Sequence, residues 1–89
     1  MLIDIDGVNP GLKDQCVALV EGLTEPYTYK LTDIKGNTPQ SLVFECSGGE
    51  EEVDSIVPSL KSKIKNSDLG AIMMFRVVPH GQFMWIPKR

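Results

Sequence analysis

The stretch that most limits the fold runs from Tyr27 to Ser47, through "YTYKLTDI", "KGNTPQ" and "SLVFECS". In "YTYKLTDI", Tyr27, Tyr29 and Leu31 fall on one face and Thr28, Lys30 and Thr32 on the other, the period of a half-buried strand. "SLVFECS" repeats the pattern, with Leu42, Phe44 and Cys46 inward and Val43 and Glu45 outward. The polar segment between them carries Gly36, Asn37 and Pro39, which break regular structure. Two strands joined so closely form an antiparallel hairpin, and a hairpin flanked by helices leaves few topologies open.

Both flanks read as helix. Upstream, Leu12, Cys16, Leu19, Val20 and Leu23 recur at helical spacing. Asn9 is placed to cap the helix and Pro10 to occupy its first position, where the missing N–H costs nothing. Gly22 reads as the stop, in the left-handed conformation that glycine tolerates. Downstream, "SGGEEEVDSIVPSLKSKIKNS" carries a stripe of Val53, Ile56, Val57, Leu60 and Ile64. Ser47 and Glu50 have capping-box spacing. Glu50, Glu51 and Glu52 sit at the positive end of the helix dipole, and Lys61, Lys63 and Lys65 toward the negative end. Pro58 predicts a bend or break, because proline inside a helix removes a hydrogen bond and clashes with the preceding turn.

Residues 1–6 read as an opening strand and "GAIMMFRVVP" as a strand apolar on both faces, broken only by Arg76. "PHGQ" turns the chain and "FMWIP" returns as a last strand. The order β-α-β-β-α-β, plus one strand, predicts an α+β ferredoxin-like sandwich: two helices on one face of an antiparallel sheet ordered 4-1-3-2. The additional C-terminal strand extends it beyond strand four, in the same chain or across a dimer. At 89 residues this is a single domain, 1–89, with a modest core.

Composition narrows the function classes. A net charge of −3 argues against nucleic acid, which needs a concentrated basic face. Thr28, Lys30, Val43 and Glu45 also make a poor platform for stacking bases. No apolar run is long enough to span a membrane and no leader pattern is evident, so a cytoplasmic location is expected. Cys16 and Cys46 fit neither a zinc spacing nor a redox pair and read as reduced core thiols. No metal site and no cofactor is expected.

The turn after the first strand, "LIDIDGVNPG", bears three readings. "LIDIDGV" resembles the first motif of haloacid dehalogenase-like phosphatases, which implies Asp4 as phosphoryl-accepting nucleophile, Asp6 as general acid/base and Mg²⁺ beside them. That family also uses a phosphate lysine, a distal acidic pair and a parallel sheet. Past the second helix the only acid is Asp68, and the hairpin contradicts a parallel sheet. "DIDGVN" touches a calcium-loop pattern, but Gly7 and Gln15 stand at the wrong places in it. "IDIDGVNPGLKDQCVALVEGL" resembles the start of an ACT domain, a ferredoxin-like regulatory family that commonly binds amino acids at domain interfaces. The resemblance implies a ligand cradle at Asp6, Gly7, Asn9, Gly11 and Leu12. Backbone N–H groups at a helix start would meet a carboxylate, and Asp6 an amino group. The plain alternative is that Gly7, Pro10 and Gly11 only shape a connection.

His80 reads as a solvated turn residue. "SGGEEE" lacks the lysine of a phosphate loop and reads as a helix start. Arg76 invites a salt bridge with Glu45, an anion or a sheet-edge position. Met74, Arg76 and Trp85 are the expected centre of a homodimer interface, since an apolar outer sheet face leaves side chains in water unless a partner covers them. Without a nucleophile–base pair, the sequence reads as a non-catalytic small-molecule-sensing or protein-interaction module, a homodimer with an amino-acid-like ligand. The phosphatase loop at Asp4 and Asp6 is its alternative.

Overall fold

The structure is a computed structural model that describes residues 1–80. Strand β1 (Leu2–Val8) leads through a 3-10 turn at Pro10–Leu12 into helix α1 (Lys13–Glu21). Strands β2 (Tyr29–Lys35) and β3 (Gln40–Cys46) form the hairpin. Helix α2 (Val53–Lys65), a second 3-10 turn at Asp68–Ala71 and the short strand β4 (Arg76–Pro79) complete the order. The strands pair in the order β2-β3-β1-β4, and every neighbouring pair is antiparallel. Helix α1 therefore links two strands that hold β3 between them, and α2 links two that hold β1 between them. Among the described strands this α+β sheet has none of the parallel pairing that the phosphatase resemblance implies.

One face of the sheet packs on both helices. Ile3, Ile5, Leu42, Phe44, Cys46 and Val77 join Cys16 and Val20 of α1 and Ile56, Val57, Leu60 and Ile64 of α2 in one apolar cluster. The alternation expected for β3 holds: Leu42, Phe44 and Cys46 lie in that cluster, whereas Val43 does not. Both cysteines are free and buried, and burial pushes the Cys16 thiol up to about 11.

Asn9 caps as expected. Its side chain accepts from the Gly11 N–H at 2.8 Å, with Pro10 opening the helical turn. Gly22 ends α1, but at φ −80, not in the left-handed region. The α2 cap also differs: the turn starts at Gly49, whose N–H donates to the Glu52 carboxylate. Ser47 instead accepts from the Thr28 N–H at 3.0 Å and ties the two hairpin strands together. Helix α2 continues through Pro58 without a break; the proline side is exposed and the buried stripe lies elsewhere on the helix.

The fourth strand is much shorter than "GAIMMFRVVP" predicts. Residues Asp68–Ala71 form a 3-10 turn, because Leu69 and Met73 turn back into the core below α2 and the Leu69 carbonyl accepts from the Ile72 and Met73 N–H groups. Inward and outward alternation persists only in part: Met73 and Val77 are buried and Ile72 and Met74 exposed, but Ala71 is exposed and Val78, expected in water, is buried. The last strand expected in "FMWIP", with Trp85, lies outside the described residues.

Candidate functional site

The outer face of the sheet is set by β1. Ile3 and Ile5 point to the helices, so Leu2, Asp4 and Asp6 point away from them. In register, Asp4 lies between Val43 of β3 and Val78 of β4, and Asp6 lies beside Arg76. Asp4, Asp6 and Arg76 are thereby gathered on two adjacent strands, with His80 just past the end of β4.

Asp4 and His80 form the shorter pair, with Asp4 Oδ1 and His80 Nδ1 2.7 Å apart. The His80 N–H also donates to the Leu2 carbonyl at 3.1 Å, which holds the end of β4 against the start of β1. His80 is thus half-buried and bonded, not the solvated turn residue expected from sequence. The missing signal is register: only the pairing of Asp4 with Val78 puts residue 80 diagonally beside residue 4.

Asp6 and Arg76 form the longer pair. Arg76 Nη2 donates to Asp6 Oδ2 at 3.4 Å, with the arginine side chain 62% exposed and the aspartate 25%. Arg76 thus pairs with Asp6 and not with Glu45. A guanidinium has five N–H donors in a rigid fork; among the described residues its hydrogen-bond partner is Asp6 alone. An exposed pair of this length is worth about 0–1 kcal/mol, so another partner can displace it at little cost.

A bulge opens space beside this pair. Between Ile5 and Val8 the strand advances three residues while β3 advances two, from Leu42 to Gln40. The extra residue is accommodated at Gly7, whose φ of 80 is disfavoured for a residue with a side chain. Gly7 faces the Met74–Phe75 segment, where a Cβ would make ordinary contact, 3.5 Å from the Met74 carbonyl. The result is an open cleft of about 480 Å³ lined by Asp6, Gly7, Pro39, Ser41, Met74, Phe75 and Arg76. That volume suits a small molecule. The walls combine apolar surface from Pro39, Met74 and Phe75 with one carboxylate, one guanidinium and one hydroxyl.

Of the residues expected in the cradle, Asp6 and Gly7 line this cleft; Asn9, Gly11 and Leu12 are not part of its lining. The N–H groups at the helix start are already engaged. Gly11 donates to the Asn9 side chain, and Leu12 donates to the Asn9 carbonyl at 2.8 Å. Of the expected interface residues, Met74 and Arg76 come together at the cleft, and Met74 is 89% exposed. Ile72 beside it is 63% exposed. Pro39 and Ser41 were not expected; they arrive because the β1 bulge faces the start of β3, which single-strand patterns do not reveal.

Among the described residues no group of three or more His, Cys, Asp or Glu side chains is arranged to hold a metal ion. No helix among them is long and apolar enough to cross a membrane. Comparison of the chain with protein-family models, with curated protein sequences and with solved structures finds no match.

Proposed function

We propose that this chain is a non-catalytic small-molecule-sensing module of ferredoxin-like architecture that binds a compact, amino-acid-like zwitterion in the cleft at Asp6 and Arg76. The observation that carries the reading is the weak ion pair at the cleft mouth, 3.4 Å long and open to solvent. A ligand carboxylate takes the Arg76 fork in a two-point contact. The ligand ammonium takes the released Asp6, and its side chain lies along Met74 and Phe75. Supporting the architecture are the two helical crossovers, each joining strands that flank a third. The acidic turn and "PGL" helix start, which resemble an ACT domain, point the same way.

Such a module works as a homodimer in the cytoplasm on this reading, with Ile72 and Met74 as apolar contacts beside the site. Light scattering at micromolar concentration is then expected to give twice the chain mass, and Met74→Asp to lower it. The ligand claim is tested by a thermal-shift screen of the amino acids. A ligand at a hundred times its Kd stabilises the native state by about 2.7 kcal/mol, roughly 10 °C or more for a domain of this size. A screen without shifts, or shifts that survive in Arg76→Ala, would place the function elsewhere. Turnover of a generic aryl phosphate with Mg²⁺, lost in Asp4→Asn, would favour the phosphatase alternative.

A further inference from the structure

Strand β2 forms one edge of the sheet and, among the described strands, pairs only with β3. In an antiparallel ladder the backbone groups alternate between facing the partner and facing away. The Ser47 N–H donates to the Thr28 carbonyl, so Thr28 and Lys30 face β3, and Tyr29 and Leu31 present their N–H groups to the open edge. The β2–β3 register then slips at Thr32, where Leu31 lies opposite Phe44 and Asp33 opposite Val43. Beyond this bulge Ile34 presents its N–H outward. An open row of such groups is a template for another strand.

The Leu31 and Ile34 N–H groups are occupied by carboxylates of the same chain, while the Tyr29 N–H faces the same edge without one among the described residues. Leu31 N–H donates to Glu21 Oε2 at 2.8 Å, and Ile34 N–H donates to Asp33 Oδ1 at 2.8 Å. Glu21 is the last residue of α1, whose last turn has no basic residue. A carboxylate at that end faces the negative pole of the helix dipole, so the helix does not account for an acid there. The strand does. The bulge at Thr32 and the exposed Lys30 and Lys35 blunt the same edge.

We propose that Glu21 guards the β2 edge against addition of a strand from a second copy of this chain, with Asp33 closing a second donor further along it. The guard acts by occupying the Leu31 N–H that an incoming strand needs. Any dimer of the native protein therefore uses another surface, and loss of the guard adds association to whatever mass the native protein has.

The test compares wild type, Glu21→Ala, Glu21→Gln and Glu21→Ala/Asp33→Ala by light scattering over a concentration series, with circular dichroism as the check of folding. Wild type and Glu21→Gln, which keeps an acceptor oxygen at the same reach, are expected to hold one mass. The double variant is expected to at least double it as concentration rises. Exchange of the Leu31 amide is expected to quicken about tenfold or more in Glu21→Ala, as suits loss of a charge-assisted bond, and to stay near wild type in Glu21→Gln. Should the double variant unfold, the single pair of variants decides by the same two readouts. Equal masses in all four proteins, or equal association in Glu21→Ala and Glu21→Gln, would overturn the proposal.

Discussion

The two flanks of the sheet use charged side chains in opposite ways. On the β2 flank, Glu21 and Asp33 bind backbone N–H groups of their own chain at 2.8 Å each. On the β4 flank, Asp4 and Asp6 bind side chains from the far end of the sequence, His80 and Arg76. A carboxylate held by the main chain is committed to that bond. An exposed pair of side chains can part and re-form around a ligand. The Asp6–Arg76 pair is the longer and more exposed of the two cross-strand pairs, and it alone borders the cleft. The proposed function places recognition on that flank, and the proposed guard closes the edge on the other.

The strongest way to break the comparison is to remove what both flanks share. Phe44 lies in β3 between them and is fully buried. Phe44→Ala is expected to cost about 3–5 kcal/mol, read from urea unfolding; a cost below about 1 kcal/mol would mean that the core is wrongly placed. Gly7→Ala acts on the β4 flank alone. A side chain at φ 80 is disfavoured by about 1–2 kcal/mol, so the midpoint of urea unfolding is expected to fall and the cleft to lose its ligand. Cys16 probes the α1 side. Its thiol is raised from 9.0 to about 11 by burial, so the unfolded chain loses this proton first. This contribution to stability is complete below pH 9 and fades as pH rises toward about 11. Native Cys16→Ala is expected to lack that component of the alkaline decline.

The smallest effect on stability separates the flanks best. Arg76→Ala removes an exposed pair and is expected to change stability by about 1 kcal/mol or less, well under the effect of Phe44→Ala. A larger loss would make Arg76 a structural residue and blur the contrast.

Much of the frame was legible in the sequence because it rests on local periodicity. The β3 alternation, the α2 stripe and the Asn9 cap each depend on residues within a few positions of one another. What escaped depends on distant partners. An apolar alternation from Ala71 to Val78 reads as strand, yet only Arg76–Pro79 pair with β1, and Met73 is apolar because it plugs the core. Ser47 has the spacing of a cap, but the nearby Thr28 N–H claims its hydroxyl. The Thr32 bulge turns Ile34 inward to the cluster, against strict alternation. Of the seven residues that line the cleft, the unusual turn pointed to Asp6 and Gly7 as ligand residues, whereas Met74 and Arg76 stood out only as interface residues. Their meeting needed the register of β1 with β4.

The most direct test measures ligand-induced thermal shift in wild type, Arg76→Ala and Glu21→Ala with the amino acid that gives the largest shift in the screen. Each flank then loses one charge, and only one flank is assigned to recognition. A shift lost in Arg76→Ala and kept in Glu21→Ala is the expected result. A shift kept in Arg76→Ala, or lost in Glu21→Ala while that variant remains folded, would contradict the division of labour between the two flanks.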